Sequence, residues 1–168
     1  MRTAYLSLGS NLGNKDENIL KAFYLLGNRY EILNYSSLYL TAPVGFREQP
    51  FFLNMVIKID SEKVSPIELL DSLKSLEKEI GRKESFRWGP RLIDIDILYI
   101  EGIKIDTEVL TVPHRELFKR NFVLIPLSEI TEYITVDEKR LRVKDFINPE
   151  PDSINSVTLY KHVNFKSL

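Results

Sequence analysis

The chain has no cysteine, and its 168 residues include only two histidines, two methionines, one tryptophan and seven glycines. Without cysteine there is no disulfide framework, no thiol nucleophile and no cysteine-built zinc site, and the expected setting is a reducing compartment, the cytoplasm. An excess of one charge is missing as well. Lys and Arg total 23 against 24 Asp and Glu, a net charge of -1, so no global attraction to nucleic acid or anionic membrane is expected. Long apolar runs are missing too: the stretch Phe122 to Leu127 is interrupted by Pro126 and falls far short of a bilayer span. Met1-Arg2-Thr3 leads through a brief apolar stretch into a polar loop, which is unlike a secretory signal. No repeat or low-complexity tract divides the chain. Glycine-rich phosphate loops are absent: Gly9-Ser10-Asn11-Leu12-Gly13 lacks the lysine of a P-loop, there is no G-x-G-x-x-G, and His114-Arg115-Glu116 lacks the setting of a kinase catalytic loop. Any nucleotide must therefore be held by side chains and metal.

What remains is ordinary globular material, 43% hydrophobic and 28% charged. The length corresponds to one domain, with a core over residues 1–147 and a C-terminal tail over 148–168, where periodicity is lost. Ala4 to Leu8 reads as a buried strand ended by Gly9-Ser10-Asn11. Ile19, Ala22, Phe23 and Leu26 recur at helical spacing, with Gly27-Asn28 as the stop. Ile32 to Leu40 alternates as a half-wet strand, Thr41 to Pro50 is a loop, and Phe52 to Asp60 is a strand. Ser65-Pro66 with Glu68 predicts a capping box opening a helix that turns Ile67, Leu70, Leu73, Leu76 and Ile80 inward and closes at Gly81. Arg82 to Leu92 is a basic loop and Ile93 to Ile100 a strand; Glu101-Gly102 suggests a hairpin turn into Ile103 to Ile105. A helix through Phe122 to Ile130 and a small strand near Leu141 follow. This strand-helix-strand-strand-helix-strand order predicts an α+β fold, a ferredoxin-like sandwich with a mainly antiparallel sheet and helices packed on it. Such a fold hosts many activities and selects none.

Chemistry concentrates between Arg82 and Asp96. In a strand Asp94 and Asp96 share one face and Ile93, Ile95 and Ile97 the other, which sets the two carboxylates roughly 6.6 Å apart at Cα. Two adjacent ionised carboxylates repel unless a cation balances them, and an all-oxygen donor set favours Mg²⁺ or Mn²⁺. A bare D-x-D is equally compatible with a solvated strand face. Aspartate is depleted in strands, however, and local violations gather at functional sites. The preceding loop adds Arg82, Lys83, Arg87 and Arg91, four cations in ten residues. Cations beside metal-binding carboxylates suit a polyphosphate, which guanidinium forks clamp bidentately. Trp88, in the same charged loop, suits a ligand or lid contact as well as a core position. Phe52 and Asn54 also share a strand face: a ring for stacking and an amide for paired contacts to a flat heterocycle, or a core ring and a solvated amide. His114 suits a phosphate contact or a short helix cap; His162 lies in the tail with no assigned role.

The segments Gly9 to Gly13, Thr41 to Asn54, Arg87 to Leu98 (RWGPRLIDIDIL) and Leu110 to His114, with Arg120 and Phe122, resemble the 6-hydroxymethyl-7,8-dihydropterin pyrophosphokinase family of folate synthesis. The likeness runs from about Ala4 to Ile130. It implies transfer of an intact pyrophosphoryl group from ATP to the pterin hydroxymethyl group, with AMP released. It further implies two Mg²⁺ ions on Asp94 and Asp96, and Arg82 and Arg91 as the arginines serving transfer. Glu77, Arg87, Trp88, Ile97, Thr111, His114 and Arg120 would bind ATP. Thr41, Ala42, Val44 and Asn54 would hold the pterin between the rings of Phe52 and Phe122. The expected partners are these small molecules, without nucleic acid or membrane, and the expected state is a monomer. The family often has tyrosine where Phe52 stands, a basic residue where Val109 stands and an aromatic where Arg115 stands. Two other activities fit the same carboxylates or the same fold: a metal-dependent phosphohydrolase, which needs no acceptor, and a regulatory module that binds a metabolite and consumes nothing.

Overall fold

The structure, a computed structural model, describes residues 1–43, 48–82, 89–150 and 156–165. Strand β1 (Thr3–Ser10) is buried along its whole length and forms the spine of the sheet. It leads into helix α1 (Lys15–Gly27), where Asn14 caps the amino end by accepting the Glu17 N–H. Strands β2 (Ile32–Tyr35), β3 (Leu38–Thr41) and β4 (Phe52–Asp60) follow, then helix α2 (Pro66–Ile80) and strand β5 (Asp94–Ile100). Around α2 both halves of the Ser65–Glu68 capping box form, and Gly81 ends the helix in the left-handed conformation. Its buried residues are Leu69, Leu73, Leu76 and Glu77, whereas Ile67 points outward, 46% exposed, because a core-facing stripe through Leu69, Leu73 and Leu76 places it on the wet side.

The main sheet has the order β10 (Val157–Lys161), β3, β4, β1, β5, with β2 also paired to β4, and every pairing is antiparallel. The expected α+β sandwich is therefore present. Its two faces bury different cores. One packs Leu6, Leu8, Met55, Ile57, Ile95 and Ile97 against α1 and α2. The other packs Tyr5, Val56 and Leu98 against helix α3 (Asn121–Ile130).

Four parts differ from the sequence expectation. The strand foreseen over Ile32 to Leu40 is two strands, because the buried Ser36 and Ser37 turn their hydroxyls to backbone and side-chain partners between them. Gly102 makes the expected turn at φ +71°, but the returning chain does not pair with β5; instead β6 (Ile105–Asp106) pairs with β7 (Thr111–Val112). Near Leu141 a hairpin of β8 (Tyr133–Val136) and β9 (Lys139–Arg142) forms. Most consequentially, the segment read as a tail supplies β10 (Val157–Lys161), which pairs with β3 at the sheet edge. Beyond it, Phe165 packs on Phe23 and Tyr35 with ring centroids 4.1 and 5.3 Å away. His162, given no role from sequence, meets the Ser37 hydroxyl through Nδ1 at 2.8 Å.

Candidate active site

Strand alternation sorts β5 as its sequence requires. Ile95 and Ile97 enter the core under α1 and α2, and Asp94, Asp96 and Leu98 face the α3 side. Register then aligns three strands. Gly9 stands opposite Asn54 on one side and Asp94 on the other; Ser7 stands opposite Val56 and Asp96. Over this floor opens a cleft of about 280 Å³, walled by Phe52 and Asn54 of β4, Thr41 at the end of β3, Ala42 just after it, and Phe122 of α3. A second, more open cavity of about 670 Å³ adjoins it, bounded by Lys74 of α2, Ile97, Thr111 and Arg115. Asp96, His114 and Arg120 border both.

The acidic pair is electrically asymmetric. Asp94 is gripped by the Arg82 guanidinium at 2.6 Å and by Arg91 on its other oxygen. Among the described residues no hydrogen bond reaches the Asp96 carboxylate. Burial pushes the Asp96 carboxyl up from its ordinary value, the neighbouring Asp94 charge adds to this, and His114, Lys74 and Arg91 oppose it. A hard cation on this face would relieve the pair. No cluster of three or more His, Asp or Glu occurs among the described residues, so two carboxylates would leave positions for phosphate oxygens and water. That donor set fits Mg²⁺, which keeps several waters and binds through one or two carboxylates.

Glu77 does not open on either cavity. It is 2% exposed; one oxygen accepts the Ile95 N–H at 2.7 Å and the other meets Arg82 at 2.7 Å and Lys74 at 3.3 Å. Burial raises its carboxyl above the usual range against the pull of those donors. Glu77 thus ties α2 to the start of β5 and to Arg82. Sequence reading missed a second brace, Asn11. Its amide donates to the Gln49 side chain at 2.9 Å and the Pro50 carbonyl at 3.1 Å, and its oxygen accepts the Arg91 N–H at 2.7 Å. One side chain thus joins the loops that precede β4 and β5.

In the narrower cleft, the buried Thr41 hydroxyl accepts the Asn54 amide at 2.6 Å. The Asn54 oxygen lies against Gly9, where a Cβ would come within 2.8 Å of it. Phe52 and Phe122 both line the cleft, and the Arg120 guanidinium sits 5.7 Å from the Phe122 ring centre. His114 Nδ1 accepts the Glu116 N–H at 3.2 Å, which leaves Nε2 as a donor in the neutral ring. Val44, Arg87 and Trp88 lie outside the described residues. The remaining expected site residues, Glu77 excepted, gather around the two cavities or, for Arg82, on Asp94. Ser7 and Gly9 join them without having been named as site residues; Gly9 opens the Gly9 to Gly13 segment of the family likeness, and Ser7 interrupts the apolar run Ala4 to Leu8.

Residues 5–132 match the family described as 7,8-dihydro-6-hydroxymethylpterin-pyrophosphokinase. The 2-amino-4-hydroxy-6-hydroxymethyldihydropteridine pyrophosphokinase of Aquifex aeolicus is 45% identical over 146 residues, covering 87% of this chain and 91% of the relative. That of Haemophilus influenzae is 38% identical over 161 residues, covering 92% and 99%. Folic acid synthesis protein FOL1 of Dictyostelium discoideum is 41% identical, but the chain spans only 22% of its length. A solved Plasmodium falciparum HPPK-DHPS with pterin and p-hydroxybenzoate superposes with a TM-score of 0.70 at 16% identity, over 93% of this chain and 46% of that one, a likeness of fold alone. No helix among the described residues is long and apolar enough to cross a membrane.

Proposed function

This chain belongs to the 7,8-dihydro-6-hydroxymethylpterin-pyrophosphokinase family, and on that premise we propose that it transfers the β,γ-pyrophosphoryl group of ATP to the hydroxymethyl oxygen of 6-hydroxymethyl-7,8-dihydropterin. The observation that carries the reading is the joining of two cavities at Asp96, His114 and Arg120, one with a ring-stacking wall and one open enough for a nucleotide. The pterin lies between Phe52 and Phe122, its edge against Asn54, Thr41 and Ala42, and family likeness assigns Val44 to the same substrate. ATP takes the wider cavity, against Ile97, Thr111, His114 and Arg120, with Arg87 and Trp88 from the basic loop.

No side-chain nucleophile is required. The substrate alcohol attacks the β-phosphorus and loses its proton to water, the bond from that phosphorus to the oxygen bridging the α-phosphate breaks, and AMP leaves with the bond's electron pair. Asp94 and Asp96 would hold Mg²⁺, two ions in this reading, whose chemistry is neutralisation of the triphosphate and ordering of its oxygens. Arg82 and Arg91 give up Asp94 and turn to the phosphates, where charge grows during transfer. Orientation of the two substrates across β1 supplies the rest of the rate.

The test is incubation with ATP, Mg²⁺ and the dihydropterin, with AMP and the pterin diphosphate as the expected products. Phosphate released without acceptor would mark a hydrolase instead. Asp96→Ala is expected to cut turnover by roughly 10²-fold or more while the fold survives; unchanged turnover would remove Asp96 from the site.

A further inference from the structure

Ser7 lies on β1 between the residues assigned to the two substrates, and nothing so far gives it a task. It is 9% exposed, and it borders both the cleft and a small recess formed with Asp96, His114, Arg120 and Phe122. Among the described residues its hydroxyl has no hydrogen-bond partner, although the other buried serines, Ser10, Ser36, Ser37 and Ser61, all have one. Its neighbours on the opposite face, Leu6 and Leu8, are core residues, so the strand's pleat turns Ser7 toward the cleft. The hydroxyl opens on the cleft, so its partner comes from whatever fills that cleft rather than from the protein.

Geometry limits what that is. Neighbouring strands lie about 4.8 Å apart, so β4 and β5 stand roughly 10 Å apart across β1. A heterocycle read at its edge by Asn54 on β4 must send its reactive arm over β1 to reach the phosphates near Asp96 on β5. Asn54 is level with Gly9, which offers no side chain in the way; two residues along, level with Asp96, stands Ser7. The arm thus passes over a glycine and ends at a serine.

We propose that Ser7 is a substrate-binding residue of the acceptor subsite, hydrogen-bonding the hydroxymethyl group and so fixing where the attacking oxygen lies. The serine oxygen accepts the substrate O–H and leaves a lone pair of the alcohol free for phosphorus. This rests on the pyrophosphokinase reading and adds to it a group that recognises the alcohol itself, where Phe52, Asn54 and Phe122 recognise only the ring.

The experiment separates alcohol recognition from ring recognition. Affinities of 6-hydroxymethylpterin and 6-methylpterin are measured by calorimetry with a non-hydrolysable ATP analogue and Mg²⁺ present, for the native protein and Ser7→Ala. The native protein should prefer the hydroxymethyl compound, and Ser7→Ala should shrink that preference by roughly three- to tenfold, the worth of one neutral hydrogen bond, with 6-methylpterin binding unchanged. Should the alanine variant lose 6-methylpterin as well, Ser7→Cys, nearly the same shape but a weak hydrogen-bonder, provides the same comparison. A preference untouched in the variant that still binds 6-methylpterin overturns the assignment of Ser7 alone. A native protein that binds neither pterin overturns the pyrophosphokinase reading and this proposal with it.

Discussion

Individual side chains in this cleft are set by what their neighbours lack as much as by what they carry. Gly9 is the clearest instance, since the absence of a Cβ is what lets the Asn54 oxygen rest against β1. Gly9→Ala should force the Asn54 amide aside and weaken pterin binding about tenfold with ATP-analogue affinity unchanged, as titration calorimetry would read. Equal weakening of both ligands would mean that the whole floor had moved. The carboxylate pair was legible in the sequence because period-two alternation leaves Asp94 and Asp96 no choice of face. Glu77 was named as a site residue only through family likeness. Its two oxygens are committed to Ile95, Arg82 and Lys74, a fact of three-dimensional packing on which a helical pattern is silent.

At the level of elements, the two helices and the β1, β4 and β5 strands could be read from periodicity, caps and turns. The last strand could not. β10 lies at the sheet edge with most of its residues exposed, Leu159 and Tyr160 among them, so its sequence shows no buried stripe to detect. It is held by main-chain pairing with β3, by the Ser156 carbonyl accepting the Ala42 N–H at 3.0 Å, and by Phe165 anchoring on α1 and β2. Phe165→Ala should therefore lower stability by about 1–2 kcal/mol, less than a fully buried ring would, without changing turnover. Thermal melts and initial rates check this together; a large loss of rate at preserved stability would tie the aromatic anchor to the cleft.

Over the molecule as a whole, the sheet separates a structural face from a working face, and on the α3 side Glu129 ties that helix to Ser37 and to Tyr39 of β3. That carboxylate accepts from the Ser37 N–H and hydroxyl at 2.9 and 2.7 Å and from the Tyr39 hydroxyl at 3.0 Å. Burial, with the Glu129 bond and charge, pushes the Tyr39 hydroxyl up from 10.0 to about 12. In the folded protein Tyr39 therefore keeps its proton at a pH where the unfolded chain has lost it. The stabilisation is whole below pH 10.0 and disappears as pH rises toward about 12. Denaturant midpoints should fall across that window in the native protein and fall less steeply in Tyr39→Phe; parallel curves would remove Tyr39 as the cause.

The pairing of β3 with β10 also has a consequence for biogenesis. Leu38–Thr41 leaves the ribosome long before Val157–Lys161 is made, so during translation that border of the sheet stays unpaired for on the order of ten seconds. Throughout that interval the nascent chain presents an open hydrogen-bonding margin beside Thr41 and Ala42, and only synthesis of Val157–Lys161 seals it.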